Sequence, residues 1–247
     1  MEFKTNYTKE EKEYIESIGP VGSGCTIEIP SHIKVIPREI FNNCNFLKSV
    51  TLPNSITCID FKAFFNCTSL KEIVIPDSVE EIGVSAFCEC KSLEKVKLSN
   101  SIEKICRIAF SNCTSLKNID LPNSIKYLEP HVFAGCKSLK KIVIPASIEY
   151  INCFHFQNTS LEEIIIKSNN QLPEDLLYYC NSAKKIYITK ESFAKSLNFI
   201  KNCKAGKIEI EIIDKFLEGI LKEKTLDELL DEGKSLKELS KLYKEER

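Results

Sequence analysis

The sequence predicts a β-rich α/β repeat solenoid: a right-handed, horseshoe-like stack of 23-residue units with helical ends. Three observations carry this expectation. Pro30, Pro53, Pro76, Pro122 and Pro145 stand on a ladder with a step of 23 residues, and Ser99 fills its one vacant slot. Phe41, Phe64, Phe87, Phe110, Phe133 and Phe156 keep the same step. So do Cys44, Cys67, Cys90, Cys113 and Cys136. A spacing held this long marks an array in which each copy forms one coil.

The unit is legible from the phrase FNCTSLKEIVIP at 65–76, which returns as SNCTSLKNIDLP at 111–122 and AGCKSLKKIVIP at 134–145. Leu70, Ile73 and Ile75 are apolar, and the last two alternate with the period of a strand. Pro76 ends that strand because it has no N–H to give to a sheet ladder. Val79 and Ile82 follow at steps of three and six, as Ile56 and Ile59 follow Pro53. Ala63-Phe64 then leads into a polar turn, Asn66-Cys67-Thr68-Ser69, and the next strand. About seven positions in each unit point inward, too few to order one unit alone, so neighbours must supply the remaining burial. Strands of successive units are expected to pair in parallel, about 4.8 Å apart.

The full pattern, F-x-x-C-x-x-L-x-x-I-x-I/L-P-x-x-I-x-x-I-x-x-x-A-F, resembles the BspA-like leucine-rich repeat first noted in treponemal and oral bacterial surface proteins. The resemblance is clear over 29–166 and degraded over 167–210. Pro and Ile follow the strand here, where the common leucine-rich repeat has Asn. Membership implies a curved solenoid with strands lining one face. It also implies protein or surface recognition rather than catalysis, with adhesion to host or matrix proteins in some members.

The array has irregular edges. Residues 1–28 read as an N-terminal helix and cap, since Thr8-Lys9-Glu10-Glu11 is a capping box and Gly19-Pro20 a stop. Six clear repeats fill 29–166. The sixth drops one residue, because Leu161 follows Phe156 by five where Leu70 follows Phe64 by six. Over 167–213 the repeats degenerate: Cys180, Ala183, Ile186 and Ile188 keep the offsets of Cys67, Leu70, Ile73 and Ile75, with Leu177 in the Phe slot. A helix is expected from about Lys190 to Asn202, then an imperfect strand over Lys207–Ile213. Residues 214–247 hold two more capping boxes, at Thr225 and Ser235. Leu226, Leu229 and Leu230, then Leu236, Leu239, Leu242 and Tyr243, give each segment an apolar stripe. These read as a helical lid over the last strand or as a partner-binding tail.

Charge narrows the partner class. With 34 Lys+Arg against 35 Asp+Glu the net charge is −1, which gives no drive toward nucleic acid or an acidic membrane. DEGKSLKELSKL resembles the opening of resolvase-type helix-turn-helix segments. Yet residues 207–247 carry 9 Lys+Arg against 12 Asp+Glu, where a DNA reader should be basic. The charged start MEFKTNYTKEEKEY has no secretory apolar stretch, and no membrane span is expected, so the reading is cytoplasmic, with surface export as the alternative.

No cofactor, metal or catalytic residue is assigned. The 12 cysteines include no C-x-x-C pair. One cysteine per unit at fixed phase reads as a small buried residue under the turn, while Cys25, Cys58, Cys106, Cys153 and Cys203 read as thiols outside the ladder. His131 and His155 occupy near-equivalent slots of adjacent units without a motif-placed nucleophile. The candidate partner-binding residues therefore lie on the outward side of the strands: Lys97, Asp120, Lys141, Val143, Glu163, Ile165, Lys185 and Tyr187. Along this ridge the side chains change from polar to apolar. Either a protein partner, of unspecified identity and stoichiometry, docks on its apolar end, or the C-terminal helices fold over it.

Overall fold

A computed structural model describes residues 25–151 and 155–213. In each of the first six coils a strand that is longer in all but the fifth alternates with a two-residue one: β1 (Cys25–Glu28) and β2 (Val35–Ile36), β3 (Leu47–Thr51) and β4 (Cys58–Ile59), β5 (Glu72–Val74) and β6 (Glu81–Ile82), β7 (Lys95–Lys97) and β8 (Lys104–Ile105), β9 (Asn118–Ile119) and β10 (Tyr127–Leu128), β11 (Lys141–Ile144) and β12 (Tyr150–Ile151). There follow β13 (Glu163–Ile166), β14 (Lys185–Thr189), the helices α1 (Lys190–Lys195) and α2 (Leu197–Ala205), and β15 (Glu209–Ile213). Over the described residues the molecule is a parallel β-solenoid with little helix.

Every strand pairs in parallel with its counterpart one coil away. The longer strands are bonded in three runs, β1-β3, β5-β7-β9 and β11-β13-β14-β15, while the short ones form one six-stranded sheet. Register follows the 23-residue step, so Ile73 sits beside Val96 and Val96 beside Ile119. Where one residue is lost the step becomes 22, and Ile142, Ile164 and Ile186 still align. The stack reaches back to Cys25–Glu28, inside the segment expected to be a cap. The N-terminal helix and the two C-terminal capping-box helices of the sequence reading lie outside the described residues.

Identical residues recur because each column of the stack sets one physical demand. Rings of Phe41, Phe64, Phe87 and Phe110 stack with centroids 5.1, 5.2 and 5.3 Å apart, and Phe133 follows at 6.1 Å. They join the Leu and Ile columns in one continuous core. Four of the five ladder cysteines are buried as expected, Cys44 being half-buried, and these four also donate: Cys67, Cys90, Cys113 and Cys136 Sγ reach the carbonyls of Phe41, Phe64, Phe87 and Phe110 at 3.0–3.2 Å. In the sixth coil Thr159 takes the slot, and its hydroxyl donates to Phe156 O at 2.7 Å in its own coil. Ser55 and Ser124 hydroxyls donate to Ile33 and Ile102 carbonyls at 2.7 and 2.6 Å, again one coil back.

Two residues per coil, four apart, adopt positive φ and reverse the chain around the Phe: Lys62 and Asn66, Ser85 and Glu89, Ile108 and Asn112, His131 and Gly135. Asn tolerates this conformation; a β-branched residue such as Ile108 (φ 62) adopts it only at an energetic cost. Gly135 has a further reason, since a Cβ there would meet the Asn112 side chain.

Toward the C-terminus the expected helix is present but broken at Ser196, into α1 and α2. Thr189 caps α1 by accepting from Ser192 N at 3.1 Å. Phe199, Ile200 and Cys203 of α2 complete the core beneath the last strands, where earlier coils use a short strand and Phe turn.

Candidate interaction surface

Strand alternation turns Ile73, Val96, Ile119, Ile142, Ile164 and Ile186 inward and sends their neighbours to the outer face. One outer row runs Glu72, Lys95, Asn118, Lys141, Glu163, Lys185, Glu209; a second runs Thr51, Val74, Lys97, Asp120, Val143, Ile165, Tyr187, Glu211. The sequence-designated residues thus share one surface.

Exposure changes sharply along the second row. Val74 is 58 % exposed, and Lys97 and Asp120 are also open to solvent. Val143 is half-buried, whereas Ile165 and Tyr187 are buried, 2 % and 6 % exposed. In the first row Lys141 and Glu163 are 3.9 Å apart. Lys185 pairs with Glu211 and lies 5.1 Å over the ring of Tyr187. The hydrogen bond with Glu211 outweighs the partial burial of Lys185 and lifts its pKa above the usual lysine value.

A rim of ion pairs borders the face. Lys117 Nζ lies 2.6 Å from Glu94, and Glu162 receives Lys140 at 3.3 Å and also Lys184. The hydrogen bonds from Lys117 to Glu94 and from Lys184 to Glu162 hold both carboxyls below their ordinary range. Beside Val74, the face dips into a shallow groove of about 480 Å³ lined by Thr51, Glu72, Lys95 and Lys97.

A second surface, not read from the sequence, lies on the sheet of two-residue strands. Lys104 sits between Glu81 at 3.2 Å and Glu129 at 3.0 Å, and Cys106 Sγ donates to Glu81 at 2.9 Å. Partial burial opposes the charge on Lys104, but the two carboxylates win and raise its pKa. Tyr127 and Tyr150 pair in register and are 46 % and 63 % exposed. The available signal was the phase-locked alternation Glu81, Lys104, Tyr127, Tyr150.

Among the described residues, the buried thiols are held protonated. Burial pushes the pKa of Cys136 up to about 12 and that of Cys203 to about 12, which disfavours the nucleophilic thiolate. Cys58 is pushed up to about 12 by burial and by Asp60 and Glu81. His155 is fully buried in the column that holds Ala63, Ala86, Ala109 and Val132 in earlier coils. Neither of its ring nitrogens has a hydrogen-bond partner among the described residues. Burial, aided by neighbouring His131, pushes its pKa down to about 3. Among the described residues no three His, Cys, Asp or Glu side chains gather as a metal would require, and no helix is long and apolar enough to cross a membrane.

Comparison with known proteins agrees with this geometry. The profile of the BspA type leucine rich repeat region matches in six copies, over residues 23–117, 58–184 and 104–218. Among solved structures, the pneumococcal vaccine antigen PcpA is similar with a TM-score of 0.54 at 21 % identity, over 76 % of this chain and 56 % of that one. The T. pallidum leucine rich repeat protein TpLRR is similar with a TM-score of 0.52 at 24 % identity, over 77 % of this chain and 86 % of that one. The chain thus spans little more than half the length of PcpA. No curated protein matches. With matched repeats running from residue 23 to residue 218, the chain belongs to the BspA-type leucine-rich repeat family.

Proposed function

We propose that this protein is a non-enzymatic scaffold that recognises a partner protein through the outer face of its longer strands. The observation that carries the proposal is the pair of in-register rows. They present Val74, Lys97 and Asp120 to solvent on a backbone fixed by coil-to-coil hydrogen bonds, with Lys141, Glu163 and Lys185 alongside and Val143, Ile165 and Tyr187 at the apolar end. A rigid surface that sets exposed Val74 among side chains of both signs of charge binds protein without a large ordering cost. No cofactor is assigned, and the balanced net charge of −1 gives nucleic acid no attraction.

The test is quantitative affinity purification with the full chain, comparing wild type with Lys97→Glu/Asp120→Lys and with Tyr150→Ser on the other sheet. The first variant is expected to lose a partner that the second retains. An identical partner set for all three refutes this assignment. The compartment proposed is the cytoplasm, supported by eleven free cysteines among the described residues, most of them buried. Surface labelling of intact cells with no soluble pool refutes it.

A further inference from the structure

Each Phe turn of the solenoid is tied to the next by three alternate amides. Glu39, Phe41 and Asn43 donate to the carbonyls of Phe61, Ala63 and Phe65 at 2.9, 2.9 and 2.8 Å, and the same three positions donate onward from the next three coils at 2.7–3.3 Å. The turn between β13 and β14 repeats this backbone. Leu176, Tyr178 and Cys180 donate within it to Pro173, Asp175 and Leu177, as Ala63, Phe65 and Cys67 donate to Asp60, Lys62 and Phe64. Tyr179 keeps the positive φ (62) found at Asn66. Asp175, Leu177 and Tyr179 thus carry the amides that would reach one further turn. Among the described residues none of the three has an acceptor.

The cause is the helix that follows. α2 stands between β14 and β15, where a further turn would lie, and its Phe199 joins the core as a turn Phe does. A helix uses its carbonyls on its own amides four residues on, as Ser196 does with Ile200 and Asn202 with Gly206, so it offers none to the turn. Between turn and helix lies an open cavity of about 590 Å³, lined by Asp175, Leu177 and Tyr179 from the turn and by Phe199, Cys203 and Ile208 from beyond it. We propose that this cavity binds a peptide segment of another protein by its main chain. The stacked turns show what such a row of amides bonds, namely alternate carbonyls of a polypeptide. Capture of a main chain by an unfilled hydrogen-bonding edge is an established mode of peptide recognition. The charged side chains in the lining, Glu174 and Asp175, are both carboxylates, which disfavours an anion and favours a peptide carrying Lys or Arg. Exposed Tyr178 and Tyr179 add aromatic faces for that cation. The site is separate from the outer face of the longer strands and adds a second recognition surface to the molecule.

The probe is the blocked peptide acetyl-Ala-Lys-Ala-Lys-Ala-amide, titrated into the isotope-labelled full chain and followed by NMR. The amide protons of Asp175, Leu177 and Tyr179 move downfield together and exchange several-fold more slowly, while those of Lys62, Phe64 and Asn66, already bonded, do not respond. Gly206→Phe fills the cavity from its far wall and abolishes the response. A Cβ at Gly206 meets nothing closer than 3.5 Å, so the variant keeps the fold, and unchanged Lys62, Phe64 and Asn66 signals verify it. Lys97→Glu/Asp120→Lys retains the response, so failure here and failure of the outer-face reading are distinct results. No response to the peptide, or one that survives in Gly206→Phe, overturns the proposal. So does slow exchange of the three amides before peptide is added, which gives them an acceptor in the chain itself or, if the slowing grows with protein concentration, in a second copy. An equal response to sodium acetate overturns it in favour of an anion.

Discussion

His155 makes the stability of the solenoid depend on pH in a calculable way. In the unfolded chain a histidine takes up its proton near pH 6.5. In the native coil, burial and the nearby His131 hold His155 neutral down to about pH 3. Between these values only the unfolded state is protonated, so stability falls as pH falls, by up to about 1.4 kcal/mol per unit. Its contribution is fully present above pH 7, and roughly 2 kcal/mol is lost by pH 5. The perturbation is His155→Val, which continues the column with the residue that Val132 supplies one coil earlier. Because His155 buries two ring nitrogens without a described partner, removing it is expected to be neutral or stabilising at pH 7.5. Urea unfolding from pH 5 to 8 then measures the difference between the two proteins. The variant should gain about 2 kcal/mol on wild type as pH falls from 7.5 to 5, close to 1 M in midpoint for a urea slope near 2 kcal/mol/M. Parallel pH profiles would refute the reasoning, because the imidazole would then be solvated or hydrogen-bonded in the native state.

Other expectations follow from single columns. Phe87→Ala removes the middle ring of the stack and should cost about 3–5 kcal/mol by urea unfolding. A loss below 1 kcal/mol would show that the rings do not hold adjacent coils together. Cys113→Ala removes both a filled site and the donor to Phe87 O, for an expected loss of roughly 1–2 kcal/mol. In the native protein at pH 8, Cys67, Cys90, Cys113 and Cys136 should resist iodoacetamide until urea is added, as mass spectrometry can show. Ile108→Asn relieves a left-handed backbone penalty of about 1–2 kcal/mol and should raise the melting temperature despite the loss of a half-buried side chain. Lys117→Ala breaks an exposed, solvent-screened ion pair with Glu94 and should leave the urea midpoint essentially unchanged.

Much of the fold was written in one-dimensional spacing. Phe, Cys, Leu and Ile at fixed steps became fixed columns because a coil that repeats its length repeats its orientation. The strand near Ile186 and the helix after Thr189 were visible for the same local reasons. The short-strand sheet was not, since two residues are too few to display an alternation. Nor did the ladder cysteines reveal that they donate to carbonyls, because the acceptor lies 26 residues earlier and the thiol's burial alone explains its size. The order of residues across the outer face follows from alternation. Their exposure does not: Val74 and Ile165 occupy equivalent slots, yet one is open to solvent and the other is buried. His155 was seen as a histidine near His131, but its place in an alanine column emerged only in three dimensions.

Most hydrogen bonds from side chains to carbonyls of a neighbouring coil run one way, with Ser111 to Ala134 as an exception. Cysteine thiols and serine hydroxyls of a later coil reach carbonyls of an earlier one, from Cys67 to Phe41 and from Ser55 to Ile33. A nascent polypeptide leaving the ribosome thus meets, at each new turn, acceptors already displayed by the turn completed before it. For these thiol and hydroxyl bonds, synthesis and assembly run the same way.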